Sequence, residues 1–191
     1  MRTFLAINIP DRIENQLQAT IRRMEDFVPA QAVRWVRPNS AHLTLKFLGE
    51  IKPEFIGQIE AVVSPLVQGL KPMNLSVGGV GVFPNLKRPR VLWVGVEDQA
   101  DSLRSLRNQL QESFEEYGFE AERRRFTPHL TLGRVKRGTS TGTMHQITQS
   151  LAEFELGVLG VIKAEALILF ESKLSPQGAS YRALRTFEFS G

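Results

Sequence analysis

The sequence predicts an α+β fold in which two lobes of antiparallel sheet face one another. Three observations predict it. Strand-like and helix-like stretches intermix, with several hairpin-length connections and no regular βαβ series carrying glycine-rich phosphate loops. The 191 residues are 42% hydrophobic and 23% charged, an ordinary globular composition with enough chain to bury a core. The chain also repeats itself loosely. A helix pattern precedes RWVRPNSAHLTLKF in the first half and another precedes ERRRFTPHLTLGR in the second, and the two motif histidines lie 87 residues apart, close to half the chain length.

The elements follow in order. Thr3 to Ile9 is a short apolar strand ended by Pro10, and Asp11 is the expected cap of a helix reaching about Phe27, with Ile13, Leu17, Ile21 and Met24 at near-helical spacing. Val33 to Val36 is a short strand, and Pro38-Asn39-Ser40 a turn. His42 to Leu48 alternates polar and apolar residues like a half-buried strand, and Gly49 ends it. Pro53 opens a helix to about Leu70. Asn74 to Phe83 is apolar but glycine-rich, which predicts a bent or bulged strand, and Val91 to Val96 is its neighbour. Asp101 to Tyr117 is a helix with Leu103, Leu106, Leu110 and Phe114 on one stripe, stopped by Gly118. His129 to Val135 is the second motif strand. A flexible Gly138–Gly142 loop, a short helix Thr143 to Leu151 and strands Phe154 to Val161, Ala164 to Phe170 and Tyr181 to Phe189 complete the chain.

Composition narrows the chemistry. With no cysteine, there is no disulfide framework, no thiolate metal site and no cysteine nucleophile. The N-terminal MRTFLAINIPDRIE lacks the apolar core of a signal peptide, and no stretch approaches the roughly 18 apolar residues of a membrane span. A soluble, cytoplasmic protein is expected, and nothing demands more than a monomer. The formal net charge is +4, yet Ala121 to Arg137 alone holds six basic residues against one acidic, a field suited to phosphates and polyanions.

The motif that carries chemistry is HLTL, at His42-Leu43-Thr44-Leu45 and again at His129-Leu130-Thr131-Leu132. Two of only three histidines open it. With ten threonines and 22 leucines in the chain, that coincidence is on the order of one in ten thousand. On a strand, residues i and i+2 share a face, so each histidine projects with its threonine while the leucines anchor the strand to its lobe. Two such strands across a cleft present two imidazoles and two hydroxyls to one small ligand. That set suits hydrolysis of a strained cyclic phosphodiester. One imidazole takes a proton from the attacking water, the other protonates the leaving oxygen, and hydroxyls and an arginine hold the phosphoryl oxygens. No cofactor is required. A metal site would want a third ligand at fixed spacing, and neither H-x-H nor HExxH occurs. His145, in TMHQITQS, has no motif and reads as a structural residue.

With both H-x-T-x motifs in place, the sequence resembles the two-histidine phosphoesterase superfamily, and within it the bacterial and archaeal RNA 2′,3′-cyclic phosphodiesterases, long called 2′-5′ RNA ligases. The resemblance runs through RTFLAINIP, HLTLKFLGE, GVGVFPN, RPRVLWVGV, FTPHLTLGR and LILFESKLSPQGASYRAL. It covers nearly the whole chain, so residues 1–191 are expected to form a single bilobal domain, pseudo-symmetric, with two antiparallel sheets, helices on their outer faces and a central cleft. It implies hydrolysis of 2′,3′-cyclic phosphates on RNA ends to 2′-phosphomonoesters. It implies His42 as general acid, His129 as general base, and Thr44 and Thr131 as phosphate ligands. Arg134 matches the arginine that follows the second motif in the family. By strict alternation Arg134 lies opposite His129, and it reaches the cleft only if the strand twists, bulges or ends near Gly133. Lys46 shares parity with His42 and Thr44 and is expected as a solvated strand lysine at the cleft mouth. Phe47, Trp93, Phe126 and Tyr181 are candidates to stack on a base. Two other readings use the same residues. One is a 2′-5′ RNA ligase, with a ribose hydroxyl replacing water and no ATP site evident. The other is a non-catalytic RNA or nucleotide-phosphate binding module.

Overall fold

The computed structural model describes residues 1–37, 40–122, 125–175 and 178–191. Pro38 and Asn39 of the expected turn, and Arg123 and Arg124 of the basic run, lie outside them. The elements in chain order are β1 (Arg2–Asn8), α1 (Asp11–Phe27), β2 (Val33–Trp35), β3 (His42–Glu50), a 3-10 turn (Pro53–Phe55), α2 (Ile56–Val67), β4 (Met73–Phe83), β5 (Val91–Glu97), α3 (Ser102–Glu115), β6 (His129–Val135), α4 (Thr141–Glu153), β7 (Val158–Ala164), β8 (Ala166–Ser175) and β9 (Gly178–Glu188). They form a four-stranded sheet in the order β3-β1-β8-β9 and a five-stranded sheet in the order β2-β6-β5-β4-β7. The pairings are antiparallel. Helices α2 and α3 pack with the four-stranded sheet, α1 packs on β7 of the five-stranded one, and α4 lies against α1.

The lobes are not the two halves of the sequence. Strands β2, β4 and β5 come from the first half yet belong to the second sheet, and β8 and β9 return from the far end of the chain to complete the first. A loose repeat shows that two similar units exist, whereas strand pairing decides which sheet each segment joins. The leucines of both motifs, Leu43, Leu45, Leu130 and Leu132, are fully buried in one contiguous apolar cluster.

Local departures from expectation have local causes. Asp11 is the first helical residue rather than the cap; Pro10 holds the cap position, and Asp11 and Glu14 put negative charge in the first turn. Helix α4 begins earlier than expected because the Ser140 hydroxyl accepts from the Thr143 N–H. It runs through Glu153, so β7 starts only at Val158. The β8–β9 ladder extends to Ser175↔Gly178, through polar residues that the apolar pattern does not flag. Among the described residues no helix is long and apolar enough to cross a membrane.

Candidate active site

The two HLTL strands come from different sheets, β3 on the edge of one and β6 inside the other, and both front one cavity of about 550 Å³. His42, Thr44, His129, Thr131 and Arg134 all line it. The alternation behind the motif holds. In β3 and in β6 the histidine and threonine are half-buried, while both leucines are fully buried.

Strict alternation then breaks, in the same place on both strands. Along β6 the pairing with β5 passes from Trp93↔Thr131 to Leu92↔Gly133, so Leu132 has no opposite number. Along β3 the pairing with β1 passes from Ala6↔Thr44 to Leu5↔Lys46, skipping Leu45. Each skip is a β-bulge, and it reverses the parity of the residues that follow it, on β3 as far as a second skip at Leu48. Arg134 therefore joins His129 and Thr131 on the cavity face. Lys46 is turned the other way, contrary to the expectation of a solvated side chain at the cleft mouth. It is 1% exposed, and its ammonium donates to Gln111 Oε1 and to the Glu120 carbonyl, both at 2.9 Å. Phe47 takes the cavity position instead.

The imidazoles are set in apolar surroundings. The His42 ring lies 4.5 Å from the Phe4 ring and 4.6 Å, edge-on, from Tyr181. His129 lies 4.8 Å, edge-on, from Phe83 and 6.1 Å from Trp93. Burial, reinforced by repulsion from Arg134 and His129, lowers the His42 pKa to about 4, although a backbone hydrogen bond to Ser40 opposes the shift. His129 is also lowered, first by burial and then by Arg134. Its Nδ1 lies 2.7 Å from the Thr127 carbonyl, so Nδ1–H donates there and Nε2 carries the free lone pair. Burial raises the Tyr181 phenol, which Arg134 and Arg2 partly offset.

Of the four aromatics read as base-stacking candidates, Phe47, Phe126 and Tyr181 line the cavity, and Trp93 packs behind it against Phe83 and His129. Arg125 lines it too. The sequence shows that arginine only as one of a basic run, with no periodicity to single it out. Among the described residues no group of three or more histidines and carboxylates stands together as a metal site.

The chain has relatives along nearly its whole length. The family model described as the 2′-5′ RNA ligase superfamily matches residues 9–166. An RNA 2′,3′-cyclic phosphodiesterase of Archaeoglobus fulgidus is 32% identical over 188 residues, covering 98% of this chain and 100% of that protein. One of Thermotoga maritima is 30% identical over 191 residues, covering 100% of this chain and 97% of that protein. A crystal structure of a Thermus thermophilus protein matches with a TM-score of 0.80 at 26% identity, over 99% of this chain and 98% of that one. Escherichia coli LigT complexed with 3′-AMP shares the fold with a TM-score of 0.77 at 23% identity, over 100% and 98% of the two chains. The match to the family model over most of the chain, together with relatives of this identity along its whole length, makes the protein a member of the 2′-5′ RNA ligase superfamily.

Proposed function

We propose that the protein is an RNA 2′,3′-cyclic phosphodiesterase that opens the cyclic phosphate at an RNA end to a 2′-phosphomonoester. The observation that carries the reading is the convergence of two histidines, two threonines and Arg134, from strands of separate sheets, on one cavity. The relatives bearing that activity's name, at about this chain's full length, support it.

The chemistry follows from the side chains. Thr44 and Thr131 donate to the non-bridging phosphate oxygens, and Arg134 offsets their charge. His129 Nε2, left free by the Thr127 carbonyl, takes a proton as water attacks phosphorus. The P–O3′ bond breaks, and His42 delivers a proton to the departing 3′ oxygen. One water is consumed, and a 2′-phosphate and a 3′-hydroxyl result. In the unliganded site both imidazoles have lowered pKa values, so His42 gains its proton with the anionic phosphate, whose charge stabilises the imidazolium. We read residues 1–191 as one bilobal unit acting as a cytoplasmic monomer. The return of β8 and β9 to the first sheet and the contiguous core support the single unit.

The test is an oligoribonucleotide ending in a 2′,3′-cyclic phosphate, incubated in excess EDTA, with 2′- and 3′-phosphate products resolved. Wild-type protein is expected to give the 2′-phosphate, and His42→Ala and His129→Ala to lose at least about a hundredfold in rate. Turnover that survives either substitution overturns the two-histidine reading.

A further inference from the structure

Helix α3 buries two polar residues beside its apolar stripe. Arg107 and Gln111 lie one turn apart, next to Leu103, Leu106, Leu110 and Phe114. An apolar residue at either place would extend the stripe, and burying a cation there costs stability. Their partners show what they hold. Gln111 Oε1 accepts from the Lys46 ammonium at 2.9 Å, and that ammonium also donates to the Glu120 carbonyl at 2.9 Å. Arg107 Nη2 donates to the Glu122 carbonyl at 3.3 Å, with the Glu122 carboxylate 3.9 Å away. The Arg107 guanidinium lies over the Phe126 ring, 5.4 Å from its centre. Glu122 Oε1 in turn accepts from the Phe47 N–H at 3.3 Å. These contacts fasten together α3, the strand of His42 and the chain that leads into the strand of His129.

That incoming chain carries one group on which the chemistry depends. The Thr127 carbonyl accepts from His129 Nδ1–H at 2.7 Å and so leaves Nε2 with its lone pair. The peptide is pinned on both sides. After it, the Val96 N–H donates to the Pro128 carbonyl at 3.0 Å. Before it stands Phe126, under the Arg107 guanidinium.

We propose that Arg107 is a positioning residue for His129: it clamps the chain ahead of β6 so that the Thr127 carbonyl selects the Nδ1–H tautomer. The catalytic importance of that tautomer rests on the cyclic-phosphate reading. A ring protonated at Nε2 instead has a hydrogen where the attacking water needs a base. Arg107 touches neither imidazole nor substrate, and acts through Phe126 and Thr127.

The experiment reads tautomer and turnover on the same variants. Long-range proton–nitrogen spectra of the nitrogen-15-labelled free protein at neutral pH distinguish the two neutral tautomers of His129. Arg107→Met removes the clamp, and because its carboxylate partner Glu122 is exposed, no charge is stranded inside. The wild type is expected to show Nδ1–H. In Arg107→Met the tautomers are expected to mix. Its kcat on an oligoribonucleotide 2′,3′-cyclic phosphate is expected to fall about ten- to a hundredfold, with KM changed less than about twofold. Arg107→Lys, which keeps a cation over Phe126, is expected to recover most of both. Should Arg107→Met fail to fold, Phe126→Leu, which takes away the ring beneath the guanidinium, is expected to give the same two changes. A folded Arg107→Met that keeps either the wild-type tautomer or the wild-type kcat overturns the assignment. The spectrum requires no substrate, so a wild-type protein that opens no cyclic phosphate sinks the proposed function and leaves the clamp to be judged on the tautomer.

Discussion

His42 shows how much a single residue's surroundings decide. Packed against Phe4 and Tyr181 and repelled by Arg134, it is neutral at pH 7 in the free protein, and His129 is shifted in the same direction. The reaction needs one imidazole protonated and the other not. Because kcat/KM reports the free enzyme, it is expected to peak on the acid side of pH 6.5 and to fall about tenfold per pH unit above it, whichever histidine is the acid. The profile of kcat is expected to lie at higher pH, since the bound phosphate favours the imidazolium. Parallel pH–rate profiles check this, and a kcat/KM that stays level up to about pH 8 would contradict the burial argument. The histidines and threonines were legible in the sequence because i, i+2 alternation is a local property. Lys46 was not. Its parity with His42 is real in the sequence and is undone at Leu45, the last residue of the motif, by a bulge that no residue of HLTLKF announces.

At the scale of the element, the two bulges do the same thing in different company. Strand β6 is covered on its outer side by β2, and Gly133 faces it; a Cβ there would lie 2.6 Å from Val33 Cγ1 and 2.8 Å from the Trp35 ring. Strand β3 is an edge, so the matching position has room for a lysine, whose ammonium is met by α3 and the chain beyond it. Gly133→Ala is therefore expected to push β2 off the sheet, costing about 1–3 kcal/mol and lowering catalysis through the displaced Arg134. Denaturant unfolding and kcat/KM measured on the same variant check both effects. If stability and activity both hold, β2 tolerates the methyl and the packing argument fails. Strand and helix periods were readable along most of the chain. The start of α4 depends on a serine hydroxyl and the length of the β8–β9 ladder on backbone pairing, neither of which leaves an apolar pattern.

At the scale of the molecule, the interleaving of the lobes matters most. The internal repeat signals two similar units but not that the last two strands belong with the first, because pairing between β1 and β8 is a contact across most of the chain. Separate expression of residues 1–100 and 101–191 is expected to yield no folded lobe from either piece, because each sheet then lacks strands it pairs with. Amide exchange or circular dichroism of the pieces reads this out, and a cooperatively unfolding half would show the lobes to be more independent than their topology implies.

The hydrogen bond from His129 Nδ1 to Thr127 has a consequence for how the catalyst returns to its starting state. A proton collected at Nε2 has no exit through the ring, since the far nitrogen is already committed to a carbonyl at 2.7 Å. On the proposed chemistry each cycle leaves His129 charged and His42 stripped, the mirror of the state that began it. Resetting has to happen through the cavity mouth, by exchange with solvent or with the departing phosphate. Until it does, the protein is poised for ring closure rather than ring opening, so the same two imidazoles run the reaction backwards without any change of structure.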